Sequence, residues 1–294
     1  MLSILTQSFI LAIMAIGVYI TYKILDFPDM TADGSYTLGA CIVASCLVNS
    51  VPMYISILLS IIGGAIAGLL TGLLHVKLKI SNLLSGILVM GMLYSINIRI
   101  MGKSNIPLFD CKHLFNLNIS PVIVALLFVL LCKIFLELFL KTGLGYALKG
   151  VGDNEQMIKS LGVNTGNIKI LGLMLSNAII SLAGGLTAQF QGFSDVNMGT
   201  GTLMLGIASI IIGLTLFKKI VWISDITAII VGTIIYEFSI YFAIQGGMLP
   251  SDLKLITSAI IIIFLAVTKF NYKKAGKFAI NRGKSFSKLA KANK

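Results

Sequence analysis

The sequence predicts an all-α, polytopic membrane protein of about nine transmembrane or partly re-entrant helices. Of its 294 residues, 57% are hydrophobic and only 12% charged, with a mean hydropathy of +0.97. Long apolar stretches recur along the chain, and positive charge collects in alternate connections. A soluble domain of this size needs far more polar side chains to cover its surface.

Crossing the hydrocarbon core takes about 20 apolar residues. Nine stretches qualify: 2–25, 34–50, 52–75, 82–101, 119–141, 167–192, 203–217, 221–245 and 254–269. The first has no basic leader, is too long for a secretory signal and is followed by no small-residue cleavage site, so it reads as a retained span. The cysteines, Cys41, Cys46, Cys111 and Cys132, form no CxxC pair and read as small packing residues. Glycine-rich patches such as Gly63-Gly64-Ala65 and Ala183-Gly184-Gly185 read as close-packing helix surfaces.

The net charge of +12 would suggest nucleic acid in a soluble protein. Here nine of the basic residues, from Lys269 to Lys294, crowd the last 26 positions. The positive-inside rule places that tail in the cytoplasm, where it can also touch anionic lipid headgroups, and it needs no nucleic acid partner. Counting back through alternate spans leaves 18 of the 23 Lys and Arg on the cytoplasmic side and the N-terminus outside. The chain divides into a transmembrane region, 1–270, and a basic cytoplasmic tail, 271–294.

Two polar interruptions resemble each other. Phe27-Pro28-Asp29 precedes Gly34-Ser35-Tyr36-Thr37-Leu38-Gly39, and Phe193-Ser194-Asp195-Val196-Asn197 precedes Gly201-Thr202-Leu203-Met204-Leu205-Gly206. A shift of about 167 residues carries spans one to four onto spans six to nine. Five spans separate equivalent elements, so halves 1–101 and 167–269 run oppositely across the membrane, an inverted-topology repeat. The interruptions are either the repeat interface, where broken helices meet a substrate, or plain connections in which Asp33 or Thr200 caps the next helix.

Intramembrane polar groups are expected to face partners or cavities. Lys133 and Glu137, four residues apart, read as a neutralising pair on the fifth span. Glu237, between Tyr236 and Phe238, has no partner nearby in sequence and is expected to meet either another helix or substrate. Asn97 is expected to hydrogen-bond across helices.

No engine is legible. The fragments Gly102-Lys103-Ser104 and Gly283-Lys284-Ser285 lack the earlier glycine and the preceding strand of a phosphate-binding loop. His75 and His113 are too far apart in sequence to suggest a metal site. An integral-membrane enzyme is therefore disfavoured.

The connection 142–166 contains a short helical pattern: Asp153 as N-cap, Glu155 and Gln156 in the first turn, an apolar stripe of Met157, Ile158 and Leu161, and Gly162 as the stop. A helix of about two turns is unstable alone, so this one must rest on something. The run from Gly143 and Ala147 through Gly152-Asp153-Asn154-Glu155 to Leu161-Gly162-Val163-Asn164 resembles the coupling loop of permeases of branched-chain-amino-acid-type ABC importers, tryptophan/tyrosine permeases most closely. No Leu-Pro follows Gly162, unlike the motif of better-known importer classes.

The resemblance implies a permease in the bacterial inner membrane, driven by a separate cytoplasmic ATPase that holds ATP-Mg, with no cofactor on this chain. It also implies a second permease copy and an extracellular substrate-binding lipoprotein. Coupling would fall to Gly143, Ala147, Gly152, Asp153, Asn154, Glu155, Met157, Leu161 and Gly162. The repeat places a substrate path along Phe27, Asp29, Asp33, Gly34, Tyr36, Phe193, Asp195, Asn197, Gly201 and Glu237. There Asp29 and Asp195 would meet an ammonium, and the helix starts near Gly34 and Gly201 a carboxylate. The rival is a self-sufficient ion-coupled transporter or channel with Glu237 as its coupling carboxylate.

Overall fold

The computed structural model describes residues 1–247 apart from 110, 117–119 and 218–222, and beyond them 252, 255, 257–259 and 262. Most of the expected ninth span, the basic tail, Lys218, Lys219 and the Gly283-Lys284-Ser285 fragment lie outside the described residues.

Helix α1, Leu2–Tyr19, runs into a π-helical turn, Ile20–Ile24. After a bend come α2 (Thr31–Val48), α3 (Met53–Val76), α4 (Asn82–Met101), a strand β1 (Asn105–Pro107) and α5 (Pro121–Leu140). Two short helices follow, α6 (Gly143–Asp153) and α7 (Glu155–Ser160). The chain continues through α8 (Thr165–Gln191), β2 (Phe193–Asp195), α9 (Thr202–Phe217) and α10 (Asp225–Gln245). Among the described residues seven helices are long and apolar enough to cross a membrane, with α9 shorter. The fold is all-α apart from an antiparallel ladder in which Asn105 faces Asp195 and Pro107 faces Phe193.

Element ends follow local chemistry. Pro121 sits in the first turn of α5, where its missing N–H costs nothing. Gly102 and Gly192 end α4 and α8 at φ +65° and +75°, left-handed stops that favour glycine. The Gly102-Lys103-Ser104 fragment is therefore a helix terminus. Ser224 caps α10 by accepting from Thr227 N at 3.3 Å. Helix α2 starts three residues earlier than the apolar pattern indicates, because the Asp29 carboxylate accepts the Thr31 N–H at 2.9 Å. Asp33 consequently lies inside the first turn of α2 and does not cap it.

Helices α1 and α8 are the axis: 78% of each span's most apolar window is buried, against 28% for α4 and α5 on the periphery. Lipid is as apolar as leucine, so helix association here depends on close contact and hydrogen bonds. Small residues supply both. Gly64 and Gly68 of α3 lie on the backbone of Asn177 and Leu173, and Gly184 lies on Tyr36. Ser181 Oγ donates to Ser60 O and Ser176 Oγ to Gly17 O, both at 2.7 Å. Lys133 and Glu137 approach to 3.9 Å on α5, and Glu137 also accepts from Ser224 Oγ at 2.6 Å. Cys41 and Cys132 are buried, and all four thiols are free.

Candidate functional site

Helix α8 joins two ends of the bundle. At its start lie α6 and α7, and at its finish the β1–β2 ladder.

At the α6–α7 end, Thr142 Oγ1 caps α6 by accepting from Gly145 N at 3.3 Å, and buried Leu148 and Val151 face the core. Gly152 lies directly on Ile24 O, the last residue of the π turn, so a side chain there would strike backbone. Asn154, not Asp153, caps α7, its Oδ1 accepting from Met157 N at 3.1 Å; Asp153 is the last residue of α6. The expected stripe also divides. Ile158 is buried and close to Gly150, so α7 rests partly on its own chain, whereas Met157 and Leu161 are exposed together with Leu144 and Tyr146. Glu155 Oε1 meets Lys159 Nζ at 2.8 Å and accepts from Thr165 Oγ1 at 3.0 Å, while Oε2 meets Lys169 Nζ at 2.8 Å. Lys159 and then Lys169 hold its carboxyl at about 2, well below the usual carboxylate range. Gly162 ends α7 at φ +79°.

The π turn leads into an elbow. Asp26 takes φ +50°, Phe27 is buried with its ring edge-on to His75 at 5.2 Å, and Asp29 is 1% exposed. The Asp29 carboxylate accepts from Thr31 N and, at 2.8 Å, from Asn177 Nδ2 of α8. Asn177 Oδ1 in turn accepts from Ser35 Oγ at 2.7 Å, fastening α2 to α8.

Above the elbow the starts of α2 and α9 meet. Asp33 Oδ2 accepts from Gly201 N at 2.9 Å, and Oδ1 from Leu203 N at 2.7 Å and Thr202 Oγ1 at 3.1 Å. The N-terminus of α9 thus holds a carboxylate from α2. Thr37 Oγ1 accepts from Gly199 N at 3.0 Å. The matching segment on the ladder side repeats the elbow's turn: Asp195 Oδ1 accepts from Asn197 N at 2.8 Å.

Two cavities flank this junction. The larger, about 440 Å³, is lined by Gln7 of α1, Tyr36, Thr187, Gln191, Gly201 and Glu237, among other polar and apolar side chains. The smaller, about 320 Å³, is lined by Asp33, Gly34, Thr37, Tyr94, Asn97 and Asn197, among others. Asn97 Nδ2 reaches Gly34 O at 3.5 Å, and its buried Oδ1 has no hydrogen-bond partner among the described residues.

The profile of the family described as "Branched-chain amino acid transport system / permease component" matches residues 1–266. The chain belongs to this family. It is 70% identical over 270 residues to the tyrosine transport system permease protein of Clostridioides difficile (strain R20291), covering 92% of each. It is 32% identical over 280 residues to an uncharacterized protein of Rickettsia prowazekii (strain Madrid E), covering 92% of this chain and 98% of that one. A shorter match, 33% over 97 residues, is to the autoinducer 2 import system permease protein of Photorhabdus laumondii, covering 33% of this chain and 28% of that one. No solved structure matches.

In this permease the sequence-derived path residues divide into three groups. Tyr36, Gly201 and Glu237 share the larger cavity; Asp33, Gly34 and Asn197 share the smaller. Phe27, Asp29, Phe193 and Asp195 line neither. Asp29 is buried, and each of its oxygens accepts one hydrogen bond, from Thr31 N and from Asn177 Nδ2. The helix start near Gly201 does not await a substrate carboxylate, because Asp33 fills it. Sequence reasoning missed Gln7, Asn177, Thr187 and Gln191. Their signal was polarity inside or at the end of an apolar run.

Proposed function

We propose that this permease is the membrane subunit of an ATP-driven importer of an aromatic amino acid, tyrosine or tryptophan, in a bacterial inner membrane. In this reading 1–270 forms the transmembrane domain, with repeat halves 1–101 and 167–269, and the tail 271–294 is cytoplasmic. ATP-Mg is bound and hydrolysed by a separate ATPase, two permease copies pair, and an extracellular binding lipoprotein delivers the substrate.

The seating of Gly152 on Ile24 O carries the mechanism. Helices α6 and α7 present exposed Leu144, Tyr146, Met157 and Leu161 to a partner and touch the membrane domain at a π turn, an irregularity frequent at functional sites. Closure of the ATPases would push α6 against the π turn, move the Asp29 elbow and α2, and through Asp33 shift the start of α9. Alternating access follows if that junction has two arrangements. The cargo rests on the 70% identity to a protein named for tyrosine transport.

Reconstitution in proteoliposomes tests this reading. Uptake of labelled L-tyrosine, delivered by the binding protein, should require the partner ATPase and ATP. Uptake by this chain alone, driven by a proton gradient, would overturn it in favour of an ion-coupled carrier built on Glu237.

A further inference from the structure

Glu237 is 8% exposed, on the inward side of α10, and lines the cavity of about 440 Å³. Among the described residues no side chain forms a hydrogen bond or ion pair with it, and no Lys, Arg or His lines this cavity. By contrast, the buried Asp29 carboxylate accepts a hydrogen bond on each oxygen. A carboxylate in a low-dielectric cavity is costly unless a positive charge or a proton accompanies it.

Groups that can accept from a cation stand beside Glu237. Thr187 Oγ1 lies 2.9 Å from Ala183 O and 2.6 Å from the Tyr36 phenol oxygen, and either hydroxyl can be the donor of the second bond. The Tyr36 phenol, whose oxygen keeps lone pairs that can accept, lines the same cavity as Glu237. The volume lies within the roughly 300–1,000 Å³ range of small-molecule sites. Gln7, Gln191, Thr200, Thr202, Thr257 and Ser258 also line it, together with apolar side chains such as Leu11 and Leu205.

We propose that this cavity is the subsite for the α-ammonium group of the passing amino acid, with Glu237 as counter-ion and the Tyr36 oxygen as a further acceptor. The inference rests on the amino-acid importer reading, and it moves the ammonium role away from the two elbow aspartates. An ammonium has three donors and no acceptors, which matches a carboxylate beside a phenol oxygen with lone pairs to accept.

The test is equilibrium binding to the purified permease–ATPase complex in nanodiscs, using labelled L-tyrosine and, separately, labelled tyramine. The competitors are tyramine, which keeps the ammonium and lacks the carboxylate, and 3-(4-hydroxyphenyl)propionate, which lacks the ammonium. Tyramine should displace tyrosine and the propionate should not. Glu237→Gln should weaken tyrosine and tyramine binding by about tenfold to a hundredfold, the loss of one charge-assisted contact, with co-purification of the ATPase retained. Glu237→Asp should recover part of the affinity.

Equal competition by the propionate on the wild-type complex would overturn the proposal without any variant, which guards against misfolding of Glu237→Gln. Unchanged tyrosine and tyramine binding by a folded Glu237→Gln would also overturn it and leave Glu237 as a proton carrier. Tyramine binding without tyrosine binding would support the subsite and sink the tyrosine cargo; binding of neither would sink the subsite.

Discussion

Asp29 and Asp195 make the same turn, each accepting the N–H two residues further on, at 2.9 and 2.8 Å, and the protein around them differs. The Asp29 elbow is buried, pinned by Asn177 to the central helix and continuous through the π turn with α6. The Asp195 elbow is half-buried under a three-residue ladder, with Asn105 Nδ2 at 3.5 Å as its one other side-chain contact. Equivalent turns thus sit in different surroundings. In the importer reading proposed above, the buried turn would transmit force from α6, and the more open one would take no part in that coupling.

The largest effect should come from removing the pin. Asn177→Ala leaves a buried carboxylate short of a donor, and should destabilise the fold by about 3 kcal/mol, read as a lowered Tm of the purified protein. Gly152→Ala places a methyl against Ile24 O, which is backbone and cannot rotate away. About 2 kcal/mol of overpacking should lift α6 and reduce uptake per ATP while the membrane domain stays folded.

Glu155 lies between those two and the outer elbow in expected effect. Its carboxyl titrates at about 2 in the fold, lowered by Lys159 and Lys169 from an ordinary value near 4.5. A depressed carboxylate contributes its full share above the ordinary value and loses it as pH falls towards 2. Hydrogen exchange of the α7 amides should therefore be flat from about pH 5 to 8, once corrected for intrinsic rates, and protection should fall below about pH 4. Glu155→Gln should reduce that protection at neutral pH by about threefold to fivefold, the worth of a partly exposed ion pair. Smallest of all, Asp195→Asn keeps an oxygen for the Asn197 N–H and should change stability by no more than about 0.5 kcal/mol. A large loss there would erase the contrast between the elbows.

Much of this architecture was legible. Apolar runs identified the described spans, because in lipid the length of such a run is a direct constraint. The Phe-x-Asp segments identified both elbows before any contact was known. Helix α6 was hidden by Gly143, Gly145, Gly150 and Gly152, which read as loop on propensity. It forms because two of those glycines let it lie on Leu140 and Ile24. The cap of α7 was misplaced by one residue between Asp153 and Asn154, two equally good caps.

Tertiary partners were not legible. Asp33 was readable as a polar residue at a helix start, but its three donors lie on the other half of the chain. Asn177 was masked by the apolar residues around it. Glu237 was singled out correctly as a buried charge, and only the cavity and the Tyr36–Thr187 bond say what it could hold.

The difference between the elbows is tested most directly by coupling measured side by side. Tyrosine uptake and ATP turnover would be recorded together in proteoliposomes holding the assembled transporter with Asn177→Ala or Asp195→Asn. The account predicts that Asn177→Ala cuts uptake per ATP at least about tenfold while hydrolysis continues, and that Asp195→Asn stays within about twofold of the wild type. Uncoupling by Asp195→Asn with Asn177→Ala left coupled would contradict it.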